Sequence, residues 1–202
     1  MSTLIDLLRH GEPEGGPMYR GSLDDPLSST GWQQMEKAIQ NHPTWQAIYT
    51  SPLQRCAHFA EALAKRLSLP LIREERFREM HFGDWEGKTS TFLLEQDGQR
   101  LTSFWRDPLQ NTPPNGEPLQ QFQQRVLGGW EDMLAQHPDQ SLLLVAHSGV
   151  IRMLLGAIVL NMPLNNLSRI VVDYAGLSRV RVDHVGGAPL PRLLFHAAPY
   201  PT

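Results

Sequence analysis

The sequence contains a single cysteine, Cys56, among its 202 residues. One cysteine excludes an internal disulfide and any zinc site built from several cysteines. Eight histidines are present, but no HExxH motif and no Cys/His spacing typical of a metal site accompanies them. The sequence therefore predicts no metal and no other cofactor.

An excess of positive charge and long apolar runs are also lacking. The formal net charge is −3, which disfavours a nucleic-acid partner and a polybasic membrane patch. No apolar run approaches the roughly 20 residues that are needed to span a bilayer. The first apolar run has no positively charged segment before it, which argues against a secretory signal. We therefore expect a cytoplasmic protein without nucleic-acid or membrane partners.

Short apolar runs alternate with amphipathic segments along most of the chain. This alternation predicts an α/β fold, here a three-layer α/β/α sandwich with a mostly parallel central sheet. We expect residues 1–202 to form a single domain. Residues 80–136 show helical patterns without a convincing strand, so we interpret them as a small inserted helical cap over the sheet's carboxyl edge. Further strands are predicted at residues 170–174, 178–184 and 193–196.

Residues 3–12, TLIDLLRHGE, form an apolar run that stops at an arginine, a histidine and a glycine. Such a near-continuous run is typical of a central strand that is covered on both faces. Arg9 and His10 then lie at the carboxyl end of that strand, where ligands bind in open α/β sheets. A guanidinium matches the oxygens of a phosphate, and a neutral imidazole can attack phosphorus.

Two further basic residues follow predicted strands. Residues 46–50 form a short strand, and Ser51 then predicts the N-cap of a helix that carries Arg55 in its first turn. His147 ends the apolar strand at residues 141–146. Taken singly, each has an ordinary structural interpretation, but together with Arg9 and His10 they converge on one sheet edge. This convergence predicts a phosphate pocket.

Phosphoryl transfer also needs a proton for the leaving group. Glu79 is the best candidate because apolar and aromatic residues surround it in the segment FREMHFGDWEG. Burial among them would keep a carboxylic acid protonated to higher pH. Spacing alone leaves Glu74, Glu75 and Glu86 open as alternatives.

Five motifs occur in one order along residues 3–152: LLRHGE, SPLQRC, REMHFGDWEG, PNGE and VAHSGVIR. In this order and spacing the chain resembles the histidine phosphatase superfamily, which has the phosphoglycerate-mutase-like fold. The resemblance implies that His10 is the phosphorylated nucleophile. It also implies that Arg9, Arg55 and His147 hold the phosphate, and it selects Glu79 as the proton donor.

The segments RHGEPEGG, YRGSLDDPLS and HFGDWEG are most similar to the bacterial α-ribazole phosphatase-like branch. The resemblance implies that Arg20 and Gly21 touch substrate, and we add Phe82 and Ser148 to this substrate-binding set. Phe82 replaces a tyrosine of mutase-like members, and Ser148 replaces a frequent glycine. The usual GES reads GEP here, and an asparagine common after RHG is missing. These departures argue against a bisphosphoglycerate-type pocket.

We therefore expect a cofactor-independent phosphatase for a small phosphate monoester, acting through phosphohistidine, as a monomer or homodimer. The aromatic residues of the cap suit a flat base, and they favour α-ribazole 5′-phosphate, an intermediate of cobalamin biosynthesis. The alternatives are a phosphoglycerate mutase, another sugar-phosphate phosphatase, and a non-catalytic module that binds a phosphorylated ligand. The cap aromatics are Phe82, Trp85, Phe92, Phe104 and Trp105.

Overall fold

A six-stranded sheet forms the centre of the protein, whose computed structural model describes residues 2–41 and 44–197. The strands are β1 (Ser2–Arg9), β2 (Ala47–Thr50), β3 (Leu71–Arg73), β4 (Ser141–Ala146), β5 (Leu177–Val185) and β6 (Ala188–His196). Their spatial order is β3-β2-β4-β1-β5-β6. The first four run parallel, and β5 and β6 are antiparallel additions at one edge. The predicted α/β fold with a mostly parallel sheet is confirmed.

Helices cover both faces of the sheet. They are α1 (Ser29–Ala38), α2 (Gln54–Leu67), α3 (Ser90–Arg106), α4 (Leu119–Gln136) and α5 (Ser148–Met153), which continues as a π-helix over Leu154–Val159. Helices α1 and α2 share one apolar core with the sheet, whereas α4 and α5 share the other. This arrangement gives the three layers that the alternating pattern predicts.

The position of β1 in the sheet explains why its sequence shows no simple alternation of apolar and polar residues. Ile5 and Leu7 face the core shared with α4 and α5, whereas Leu8 faces the core shared with α1 and α2. All three are fully buried. A strand covered on both faces favours apolar residues at successive positions. The apolar run of β1 therefore ends where the chain leaves the sheet.

The cap is smaller than residues 80–136. Trp85, Leu93 and Leu101 form a separate small core around α3, whereas Phe122 and Val126 of α4 belong to the main core beneath the sheet. Helix α4 is therefore part of a covering layer. Its apolar stripe suits either position, so the sequence pattern could not tell them apart. Helix α3 is kinked at Asp97, directly before Gly98.

The prediction of a strand at residues 170–174 is wrong. Its carbonyl groups bond to side chains instead of to a neighbouring strand. Those of residues 170–172 accept hydrogen bonds from Arg152 Nε, His196 Nε2 and Arg9 Nη1, in that order, at 2.8, 2.7 and 2.6 Å. Among the described helices, none is long and apolar enough to cross a membrane.

Candidate active site

A cavity of about 370 Å³ opens at the carboxyl ends of β1 and β4. Eight of the nine predicted site residues line it: Arg9, His10, Arg20, Gly21, Arg55, Glu79, Phe82 and Ser148. The ninth, His147, is completely buried, and its ring centroid lies 5.2 Å from that of His10. The fold therefore brings together residues that are as much as 139 positions apart in the sequence, from Arg9 to Ser148.

His10 is held in one orientation by its own backbone neighbour. Its Nδ1 lies 2.7 Å from the carbonyl oxygen of Gly11. Because a carbonyl only accepts, Nδ1 carries the proton and Nε2 keeps its lone pair. Burial, and then the positive charges of Arg55 and Arg9, lower the pKa of His10 well below its usual value. The ring is therefore neutral and nucleophilic at neutral pH.

Arg9 is fixed by the wall beside β1. Its Nη1 donates to the Val172 carbonyl at 2.6 Å, and its guanidinium lies 4.1 Å from the ring centroid of Tyr174. Burial lowers its pKa, but an arginine remains protonated. Its buried Nε has no hydrogen-bond partner in the described part of the chain. Arg9 thus keeps donor capacity that an anion could use.

Arg55 is the second residue of α2 and points back to the sheet edge, as the sequence predicts. Its Nη1 and Nη2 donate to the carbonyls of Leu23 and Gly21 at 2.6 and 2.8 Å. Its Nε, like that of Arg9, is buried without a partner among the described residues. Within the same residues, no carboxylate forms an ion pair with Arg9 or Arg55.

Ser51 does not cap α2, contrary to the prediction. Helix α2 begins at Gln54, and its N-cap residue, Leu53, makes no side-chain capping bond. The Ser51 hydroxyl lies 2.7 Å from Nε2 of His147 and orients that ring. Burial, followed by the charge of Arg55, lowers the pKa of His147 well below its usual value. His147 is therefore a neutral hydrogen-bonding group next to His10.

Glu79 faces the cavity, and its carboxylate rests on the N-terminus of α5. Its Oε1 accepts from the Met80 amide at 3.0 Å. Its Oε2 accepts from the Gly149 amide at 3.0 Å and from the Ser148 hydroxyl at 3.4 Å. Glu79 is only 9% exposed, so a ligand in the cavity would meet it in a largely dry environment.

The three alternative glutamates have other partners. Glu74 binds the guanidinium of Arg76, and Glu75 is an exposed side chain that pairs with Arg78. Glu86 accepts hydrogen bonds from the backbone amides of residues 22, 23 and 82, at 2.8 to 3.1 Å. None of the three lines the cavity. Among these four glutamates the geometry therefore leaves Glu79 as the candidate acid.

The predicted substrate-binding residues differ in how far contacts within the protein already occupy them. Arg20 pairs with Asp25 at 2.9 Å and also donates to the Glu14 carbonyl, so these contacts use two of its five N–H donors. Gly21 has a φ of +50°, and its carbonyl holds Arg55. Phe82 packs edge-to-face on Tyr19 with a ring-centroid distance of 5.0 Å.

The cap and the loop after β1 together form an aromatic wall, which we define as Tyr19, Phe82, Phe104 and Trp105. The Trp105 indole donates to the Tyr19 hydroxyl at 2.8 Å and remains 44% exposed. Of the other two cap aromatics, Trp85 is buried in the cap core and Phe92 is exposed away from the cavity. Three of the five cap aromatics therefore line the cavity.

Tyr174 and Arg152 are among the lining residues that the sequence analysis missed. Tyr174 packs on Arg9 and lies 5.8 Å from the His10 ring, but it falls in the segment that resembles a strand. Arg152 lies one helical turn beyond Ser148 in the motif VAHSGVIR, so helical spacing could have identified it. Among the described residues, no group of three His, Cys, Asp or Glu is arranged to hold a metal ion.

Residues 5–190 match the family model described as histidine phosphatase superfamily (branch 1). The chain belongs to this superfamily. It is 28% identical over 185 residues to the adenosylcobalamin/alpha-ribazole phosphatase of Escherichia coli, covering 88% of this chain and 89% of the relative. It is 34% identical over 175 residues to the glucosyl-3-phosphoglycerate phosphatase of Mycolicibacterium vanbaalenii, covering 79% and 75%.

A solved mycobacterial glucosyl-3-phosphoglycerate phosphatase superposes with a TM-score of 0.87 at 25% identity, covering 98% of this chain and 100% of that structure. This histidine phosphatase therefore shares nearly its whole fold with that phosphatase, whereas its sequence relatives are named for different substrates.

Proposed function

We propose that this histidine phosphatase hydrolyses small phosphate monoesters through a phosphohistidine formed on His10. The observation that carries the proposal is the pairing of a neutral, oriented imidazole with Arg9 and Arg55. The Nε atoms of these arginines are buried without a hydrogen-bond partner, and within the described residues neither forms an ion pair with a carboxylate. A phosphate dianion would supply both the missing negative charge and hydrogen-bond acceptors for these arginines. Phosphoryl transfer depends mainly on such positioning and charge stabilisation.

In the first step, Nε2 of His10 attacks phosphorus while Arg9, Arg55 and His147 hold the non-bridging oxygens. Glu79 donates a proton to the leaving oxygen, so the alcohol departs without a negative charge. In the second step, the Glu79 carboxylate takes a proton from water, which attacks the phosphohistidine. Inorganic phosphate leaves, and His10 returns to its neutral state.

Substitution of the nucleophile tests the proposal. His10→Ala should abolish turnover of p-nitrophenyl phosphate and acid-labile phosphate labelling of the protein, while inorganic phosphate should still bind through Arg9, Arg55 and His147. A variant that keeps substantial turnover would exclude His10 as the nucleophile. A wild-type protein that binds phosphate esters without hydrolysing them would instead support a non-catalytic binding module.

For the natural substrate, we propose α-ribazole 5′-phosphate, whose dephosphorylation would serve assembly of the cobalamin lower ligand. The aromatic wall supports this choice, because ring faces stack on a planar base. The similarity to the E. coli adenosylcobalamin/alpha-ribazole phosphatase also supports it. The glucosyl-3-phosphoglycerate relatives point to a sugar-acid ester, so a direct comparison is needed.

The decisive measurement is kcat/KM for α-ribazole 5′-phosphate, 3-phosphoglycerate, phosphoserine and fructose 2,6-bisphosphate. Base stacking is worth about 1–3 kcal/mol, so Trp105→Ala should lower kcat/KM for the ribazole ester roughly tenfold or more and leave phosphoserine nearly unchanged. If the ribazole ester is no better than the smaller esters, this substrate assignment fails. Formation of 2-phosphoglycerate from 3-phosphoglycerate would indicate a mutase.

A further inference from the structure

The PNGE motif and the helix that follows it are not used by the mechanism above. Glu117 ends that motif, and Arg125 lies two turns into α4. Neither residue lines the cavity. Both nevertheless contact residues 76–81, the irregular segment that carries Glu79.

Arg125 uses every donor of its guanidinium. Nη1 donates to the carbonyls of Arg76 and Arg78 at 2.8 and 2.7 Å. Nη2 donates to the Glu79 carbonyl at 3.0 Å and to Glu117 Oε2 at 2.8 Å, and Nε donates to Glu117 Oε1 at 2.6 Å. An arginine has five N–H donors, and all five are satisfied here. Lysine has three donors on one atom and could not reproduce this arrangement.

Glu117 holds the backbone on the C-terminal side of Glu79. Its Oε2 accepts from the His81 amide at 3.2 Å, and its own amide donates to the His81 carbonyl at 2.8 Å. The backbone on both sides of Glu79 is thus held by one ion pair. Residues 78–81 belong to no helix or strand, so regular secondary structure does not fix this stretch.

We infer that Arg125 and Glu117 form a positioning pair that fixes the acid Glu79 against the leaving-group oxygen. The inference rests on the proposed function. It also adds a second requirement for catalysis, because the Glu79 carboxylate meets α5 correctly only if its backbone is held. Loss of the pair should therefore lower activity mainly on esters with poor leaving groups, as loss of Glu79 itself would. Binding of phosphate by Arg9, Arg55 and His147 should be unchanged.

The experiment compares Arg125→Met, Glu79→Gln and the double variant on phosphate esters of increasing leaving-group pKa, from p-nitrophenyl to alkyl. The quantity is kcat/KM, which reports the steps up to the first irreversible one and excludes later hydrolysis of phosphohistidine. Misplacing a catalytic group by 1 Å can cost about 10²-fold, so Arg125→Met should lose about ten- to a hundredfold on alkyl esters. On p-nitrophenyl phosphate the loss should be much smaller, because that leaving group needs little protonation.

Adding Arg125→Met to Glu79→Gln should cause little further loss, since both remove the same function. Inhibition by inorganic phosphate should stay near the wild-type value. Arg76→Met is the matched control, because this arginine lies on the same segment but, within residues 2–41 and 44–197, its side chain forms ion pairs only with Glu74 and Asp132 near the surface. It should keep the wild-type dependence on the leaving group.

Equal losses on good and poor leaving groups, or losses that multiply in the double variant, would show that Arg125 has only a structural role. If Arg125→Met does not fold, Glu117→Gln and Arg125→Lys provide the same test with a smaller change. An inactive wild-type protein, or a Glu79→Gln variant without leaving-group dependence, would instead contradict the proposed function itself.

Discussion

Gly149→Ala should disable the proposed acid, Glu79, through a contact made from α5. Gly149 is the second residue of α5, and its amide donates to Glu79 Oε2 at 3.0 Å. A Cβ at this position would lie 2.2 Å from Glu79 Oε1 and 3.1 Å from its Cδ. The backbone of Gly149 has a conformation that alanine can also adopt, so the expected effect comes from this clash alone.

The expected magnitude follows from that contact. Ordinary Cβ contacts begin near 3.4 Å, so the Glu79 carboxylate must retreat by roughly 1 Å. A displacement of that size can cost about 10²-fold in rate, which corresponds to roughly 2.7 kcal/mol of transition-state stabilisation. The loss in kcat/KM should be largest for alkyl phosphates, which depend most on protonation of the leaving group.

Gly128→Ala is the matched control for Gly149→Ala. Gly128 lies within α4, and the nearest atom to its added Cβ is Arg76 Nη1 at 3.7 Å, an ordinary contact. This variant should keep wild-type activity, and a glycine-to-alanine change in a helix should stabilise the protein by up to about 1 kcal/mol. Circular dichroism and Tm would verify folding of both variants. A folded Gly149→Ala protein with activity within twofold of wild type would refute the reasoning.

Other predictions concern protons, the thiol and metals. Because the pKa values of His10 and His147 are lowered on folding, the unfolded chain binds more protons below about pH 6.5, and stability should fall as the pH drops, by up to about 1.4 kcal/mol per pH unit for each histidine. Urea unfolding at pH 7 and pH 5 should show a smaller drop for His10→Ala, and equal drops would contradict this linkage. Burial raises the pKa of the Cys56 thiol, so Ellman's reagent should label it only after denaturation, and rapid labelling of the native protein would contradict its burial. EDTA should leave kcat/KM unchanged, since the proposed mechanism uses arginine and histidine in place of a metal, and inactivation reversed by a divalent cation would contradict it.

The convergence of Arg9, His10, Arg55 and His147 could be predicted from the sequence because each ends or follows a short apolar strand. Parallel strands bring their carboxyl ends to one edge, so local position along the chain was enough to place all four together. The prediction depended on strand ends alone. It therefore held although the reason given for the start of α2 was wrong, since Ser51 orients His147 and does not cap the helix.

The irregular structure of residues 170–174 could not be predicted from the sequence, because their carbonyl groups accept hydrogen bonds from side chains that are distant along the chain. Its composition favours a strand, but Arg9, Arg152 and His196 occupy the carbonyls that a strand would offer to a neighbour. Tyr174 is placed against Arg9 as a result. Two of those three donors also line the cavity or lie beside it, so the same contacts that prevent a strand build one wall of the site.

The choice of Glu79 over the neighbouring glutamates could not be made from the sequence either. Four glutamates within thirteen residues share similar local surroundings, so no spacing rule separates them. Their roles are decided by which cations and amides the fold brings to each. Arg76 takes Glu74, three backbone amides take Glu86, and the N-terminus of α5 receives Glu79. Arg125 holds the backbone of that segment from α4, nearly fifty residues further along the chain. The choice of Glu79 as the proposed acid thus depends on helix α4 and helix α5 as much as on the segment that contains it.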